Sequence, residues 1–308
     1  MLGLKFFAWF LTHSVSILTD ALESIVNVVA GFIGLYSLYF SAKPRDRDHP
    51  YGHGKAEFLS AAIEGSLILV AGFVIIYKVV EQLVYPVKLE KVDLGIWIVG
   101  ATALINFVMG WFCLKIGKKN DSLALIASGR HLQSDTWSTI AIIMGLILIY
   151  FTGLRWIDSL LAIGVAVLII RTAYNILRKS VAGIMDEADE KLLGKLVNIL
   201  DKNRRENWID IHNLRVIKYG SVLHVDCHLT VPWYQNVHEA HAEIDKLSGL
   251  VKELFDQSVE LFVHSDGCLP FQCHICSKQN CRVRQQEFVR KITWTMENLS
   301  QNKKHQIN

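Results

Sequence analysis

The sequence has little excess charge of either sign. It carries 32 Lys and Arg against 29 Asp and Glu, a formal net charge of +3 over 308 residues. That balance excludes the concentrated basic face that nucleic acid requires, so no nucleic-acid partner is expected. A G-x-x-x-x-G-K-[ST] phosphate loop is absent, which excludes an ATP-driven machine of that type; no organic cofactor is expected either. No nucleophile motif stands out, and the chain is read as not an enzyme. No convincing internal repeat occurs. The start lacks a charge before Lys5 and a small-residue cleavage site, which argues against a signal peptide. Without a secretory context, the six cysteines read as reduced thiols or metal ligands rather than disulfides.

What the chain does have is apolar residues, 51% by count. A mean hydropathy of +0.28 is high for a soluble enzyme and modest for a chain lying wholly in lipid. The resolution is a divided chain: a transmembrane part over 1–178, an aqueous domain over 179–267 and a Cys-rich tail over 268–308. Apolar stretches near 14–40, 58–84, 92–114, 132–151 and 156–177 suit a bilayer, which takes about 20 helical residues per crossing. The first 12 residues are apolar but short, and read as the end of a sixth helix truncated at its start.

Lys43, Arg45, Arg47 and Lys55 fall in one loop, Lys115, Lys118, Lys119 and Arg130 in another, and Arg171, Arg178 and Lys179 near the end of the last span. The intervening loops carry only Lys88, Lys91 and Arg155. The positive-inside rule then predicts a multi-pass protein of the cell (inner) membrane, in contact with lipid and with both termini cytoplasmic. Beyond the spans, 187–203 has amphipathic helical spacing, 211–219 and 222–232 read as a hairpin around Gly220-Ser221, 237–256 as a helix and 259–264 as a strand. That order predicts a small α+β domain with its helices on one face of a sheet. The end, 300–308, is polar and is expected to fray.

Ionisable groups inside a span are costly and therefore candidates for function. The first full span holds Asp20, Glu23 and Asn27; the segment GRHLQSDTW holds His131 and Asp135. Glu23 and Asn27 are four residues apart, as are His131 and Asp135, so each pair shares a helix face. Two such helices packed together could offer one nitrogen and three oxygens to a small divalent cation in tetrahedral geometry.

SVSILTDALESIVN, followed by DRDHPYGHGKAE and then HLQSD, resembles the cation diffusion facilitator family. The resemblance implies a six-helix membrane bundle with a ferredoxin-like cytoplasmic domain, a homodimer, and exchange of divalent metal for protons. It implies a transport site at Glu23, Asn27, His131 and Asp135, with Glu23 where His or Asp is usual and Asn27 where Asp is usual. Asp20 matches a frequent family position, read as a gate or alternative ligand. Asp46, His49 and His53 match a second, less essential loop site. Lys55 resembles a lysine that pairs across the dimer with an acidic residue at the position of Asp186. In the aqueous domain, His212, His228, His241, His264 and Asp266 match metal positions that bridge the two protomers as a regulatory sensor.

Outside the resemblance, Cys268, Cys273, Cys276 and Cys281 give the spacing C-x4-C-x2-C-x4-C. Four thiolates suit tetrahedral Zn²⁺, an iron–sulfur cluster or a redox-sensitive pair. Cys113 and Cys227 read as packing residues. The expected function is efflux of a divalent metal by proton antiport, since His and carboxylates bind metal only after losing protons. Zinc ranks first and iron second, with manganese and cobalt open. Metal is thus both substrate and regulatory ligand. The alternative is a non-transporting metal sensor or assembly partner using the cytoplasmic His/Cys cluster.

Overall fold

The computed structural model describes residues 2–85, 91–119, 123–154, 156–219, 222–255 and 259–307. Lys88, Arg155 and the Gly220-Ser221 turn lie outside the described residues. The chain forms two compact units, Met1–Ser37 with Leu59–Val181, and Leu38–Phe58 with Ala182–Asn308.

The first unit is helical: α1 (Leu2–Thr12), α2 (Val15–Ser41), α3 (Ala56–Val84), α4 (Val92–Lys119), α5 (Leu123–Thr152) and α6 (Trp156–Ile184). Among the described residues, α2 to α6 are long and apolar enough to cross a membrane, and α1 is a shorter apolar helix of 11 residues. Helices suit lipid because they satisfy every internal peptide group within the segment. Helix α5 begins at Leu123, well before the apolar stretch near 132, because hydropathy marks lipid contact and not helix length. Large apolar side chains such as Phe32, Trp97 and Phe151 point outward, as expected where the solvent is hydrocarbon.

The interior is built from small contacts. Ala8, Ile17, Val99, Ile142, Leu146, Ile149 and Ile157 draw α1, α2, α4, α5 and α6 together. Val15, Ile75, Val79, Ala162 and Ala166 join α2 to α3 and α6. Helices α4 and α5 meet backbone to backbone: a Cβ on Gly129 would lie 2.9 Å from the Gly110 carbonyl oxygen and 2.9 Å from the Leu114 nitrogen. Helix α2 has no acidic residue in its own first turn; Asp158 of α6 caps it instead, accepting from the Ser14 hydroxyl at 2.7 Å and from the Val15 nitrogen at 2.8 Å.

The second unit contains α7 (Glu190–Lys202), β1 (Asp210–Tyr219), β2 (Val222–Val231), α8 (Val237–Leu254), β3 (Val259–Gly267), a 3-10 turn (Pro270–His274) and α9 (Met296–Leu299). The sheet runs β1-β2-β3, with β2 antiparallel to β1 and parallel to β3. A parallel pair needs a crossover, and α8 supplies it. Asp189 caps α7, and Asn236 with Glu239 forms a capping box on α8. One sheet face, with Val225, Cys227 and Leu229, packs on Leu193, Leu196, Leu200, Leu247 and Val251 of the helices. Burial holds the Cys227 thiol up at about 12, consistent with a packing role.

The expectation of a frayed end is corrected. Trp294 and Leu299 are part of the same core. The Asn213 nitrogen donates to the Gln301 carbonyl at 2.8 Å, and the Arg204 guanidinium stacks over Trp294 while donating to the Ile292 carbonyl at 2.9 Å. A polar composition signals solvation only when no partner is in reach, and here β1 offers its edge.

Candidate metal centres

On α2 and α5 the spacing argument meets its geometry. Glu23, Asn27 and Asp135 are each half-buried. The Asn27 Nδ2 donates to Asp135 Oδ2 at 3.3 Å, so the two helices present these polar faces to each other. His131 lies on α5 one turn before Asp135, but its side chain is outside the described set. Asp20 is buried one turn before Glu23. It pairs with Lys5 of α1 at 2.8 Å and accepts from the Thr139 hydroxyl of α5 at 3.2 Å. Thr139 in turn donates to the Asp135 carbonyl at 2.8 Å.

In the loop before α3, Asp46, His49 and His53 bring three ligand atoms within 4.8 Å of one another. Asp46 holds His49 Nδ1 at 3.1 Å and His53 Nε2 at 3.2 Å. The backbone N–H of His49 donates to Asp46 and holds its carboxyl below the usual value, so this oxygen donor stays ionised. His53 is buried under the Phe40 ring, and its Nδ1 has no hydrogen bond among the described residues. Nearby, Lys55 pairs with Asp186 of the same chain at 2.9 Å, where the expectation placed that pairing across a dimer. Burial opposes the charge on Lys55, but hydrogen bonds to Asp186 and Tyr219 outweigh it and hold the ammonium above its ordinary value.

On the sheet, register builds the third group. His212 pairs with His228, and His228 pairs with His264, so three histidines stand side by side across the three strands. Asp266 follows two residues after His264. His212, His228 and Asp266 bring their ligand atoms within 4.8 Å, with Asp266 Oδ2 at 3.3 Å from His228 Nδ1 and 3.5 Å from His212 Nε2. The His264 ring is 4.7 Å from that of His228 but is more exposed. Burial holds His212 below its usual value against the pull of Asp210 and Asp266, which favours the neutral imidazole. His241 does not join this group within the chain. It sits exposed on α8 beside Asp245, and α8 packs on the opposite sheet face.

Residues 1–185 match the sequence model of the cation efflux transmembrane domain, and residues 188–268 that of the cytoplasmic domain of cation efflux proteins. The chain belongs to the cation efflux, or cation diffusion facilitator, family. An uncharacterised transporter of Synechocystis is 32% identical over 252 residues, covering 82% of this chain and 81% of the relative. The cation-efflux pump FieF of Shewanella oneidensis is 26% identical over 267 residues, 86% of this chain and 89% of the relative. The manganese efflux system protein MneS of Bacillus subtilis is 28% identical over 252 residues, 82% and 86% respectively. This cation efflux protein is therefore a multi-pass membrane transporter whose substrate is a metal cation.

Several residues around these groups escaped the sequence reading. Lys5, the first charge of the chain, neutralises Asp20. Asp210 is fully buried and lies 3.7 Å from His212 Nδ1, a buried carboxylate close behind that ring. Gln272 Nε2 and the His305 nitrogen donate to Asp210 at 3.3 and 2.9 Å, and the His305 ring also meets it. Lys304 lies 3.5 Å from Asp266, placing a cation at the rim of the cluster. The only available signal was an acidic residue two positions before His212 on the same strand.

Proposed function

We propose that this protein exports a divalent cation, zinc first, by exchange for protons through Glu23, Asn27, His131 and Asp135. The observation that carries the reading is the Asn27–Asp135 hydrogen bond at 3.3 Å, which puts the polar turns of α2 and α5 against each other within a lipid-facing bundle. Metal and protons compete for carboxylate and imidazole donors, so the more acidic side ejects metal and the less acidic side reloads it. One imidazole with oxygen donors also admits iron, manganese or cobalt, and a relative named for manganese efflux supports keeping manganese in the set. With its nitrogen turned toward Asp135, Asn27 orients that carboxylate and leaves its own oxygen for the cation. The protein works as a homodimer with cytoplasmic termini, and the His212, His228 and Asp266 group takes metal from the cytoplasm as a regulatory ligand.

The test is metal-driven proton flux in proteoliposomes. Asp135→Ala should abolish flux while the protein still purifies as a dimer. Undiminished flux would overturn the site. A wild-type protein that binds metal at the sheet but moves none would instead favour the sensor reading, which the tight geometry of His212, His228 and Asp266 keeps in play.

A further inference from the structure

The transport reading leaves the tail cysteines unused. Four of the six cysteines fall within residues 268–281, and none is in a disulfide. Cys268 directly follows β3, and its N–H donates to the Val231 carbonyl at 2.9 Å. Cys273 sits in the 3-10 turn, and Cys276 follows its C-cap Ile275, donating to the Cys273 carbonyl at 3.3 Å. Cys281 opens the next turn, its carbonyl accepting from the Arg284 nitrogen at 3.4 Å. Three local elements thus bring these four cysteines to the lining of one pocket, walled by Trp233 and Leu269.

Arg284 ties that pocket together. Its guanidinium donates to the carbonyls of Cys273 and Cys276, each at 3.0 Å, and of Lys278 at 2.7 Å. Lys278 also lines the pocket and reaches Asn207 Oδ1 at 2.7 Å. Two cations therefore stand where four thiolates around a divalent ion would leave an excess of negative charge. Apart from the 3-10 turn, the described residues between Gly267 and Met296 form no helix or strand, and the local apolar cluster has only Ile209, Ile275 and Cys276 buried. A segment with so little ladder and so small a core calls for a cross-link. With the tail on the reducing cytoplasmic side, as the orientation proposed above has it, a metal suits that link better than a disulfide.

We propose that Cys268, Cys273, Cys276 and Cys281 bind one zinc ion as a structural tetrathiolate site that fastens the tail to the end of β3. Each thiol gives up its proton on ligation, so loading releases up to four protons to solvent. The fastened segment leads on to Trp294 in the core and to Lys304 and His305 beside Asp266 and Asp210.

The experiment uses the reduced, metal-free full-length protein in detergent. Cobalt(II) should produce a sulfur-to-metal charge-transfer band that zinc displaces and that is lost in Cys273→Ser/Cys276→Ser. In the wild-type protein, zinc should slow alkylation of these four cysteines by about tenfold or more, and a chelator should restore it. No charge-transfer band, alkylation unaffected by zinc, or iron with acid-labile sulfide in the purified protein would each overturn the proposal. The transport and sheet groups contain no sulfur, so failure of the transport reading leaves both readouts unchanged.

Discussion

A buried charge is only as stable as its partner. Lys5 and Asp20 have side chains 3% exposed each and pair at 2.8 Å. Removing one leaves the other uncompensated, at a cost of about 3–5 kcal/mol, whereas removing both can be nearly neutral. Lys5→Met should therefore lower the thermal midpoint in detergent strongly, and adding Asp20→Asn should recover most of the loss; an unaffected single variant would show the pair to be incidental. Glu243 on α8 is a case outside the membrane. Burial raises its carboxyl, but Lys246 at 2.7 Å and Asn207 at 2.9 Å outweigh that and hold it below the ordinary 4.5. A group whose folded value is depressed contributes stability above its unfolded value and loses it as pH falls through the folded one. Glu243→Gln should thus cost about 1–3 kcal/mol near neutrality, the difference from wild type shrinking below about pH 4.5. A difference that stays constant across that range would mean that the ionised carboxylate is not what is stabilised.

Elements were legible in proportion to how locally they are determined. The helix pair 187–203 and 237–256 and the strands around Gly220-Ser221 follow from amphipathic period and turn chemistry, and α7, β1, β2, α8 and β3 appear in that order. The i,i+4 pairs put Glu23 with Asn27 and His131 with Asp135 on shared faces before any helix docking was known. Docking itself was not legible. Nothing local to Gly129 says that it touches the Gly110 carbonyl, and nothing local to His305 says that it meets Asp210 across 95 residues of chain. His241 shows the converse, since the face that α8 buries is decided by the sheet. Gly129→Ala places a methyl 2.9 Å from backbone atoms of α4 that cannot rotate away. Overpacking of that kind costs about 1–3 kcal/mol. Because His131 follows two residues later, the shift should also impair transport. Gly164→Ala, with nothing within 4 Å of the added Cβ, is the matched control and should be neutral to slightly stabilising. Equal behaviour of the two in thermal stability and flux would remove Gly129 from the packing account.

At the scale of the whole molecule, the mean hydropathy that first suggested a divided chain corresponds to two units with separate cores, one of helices and one around a three-stranded sheet. Separate cores imply separable unfolding transitions. A ligand that binds only the native state stabilises the unit holding it by RT ln(1 + [L]/Kd), about 2.7 kcal/mol at a hundredfold excess over Kd. His212 and His228 stand on neighbouring strands with Asp266 between their nitrogens, so metal there cross-links β1, β2 and β3 through a single point. Zinc should therefore raise the transition of the sheet-containing unit, and chelation should lower it. His228→Ala/Asp266→Asn leaves the Cys-lined pocket intact but removes two of three ligand atoms from the sheet. In that variant the zinc-dependent rise should shrink by roughly the stated amount at matched excess, as read by calorimetry of the full-length protein. A rise of the same size in variant and wild type would place the stabilising metal elsewhere and leave the sheet histidines as surface groups without a ligand role.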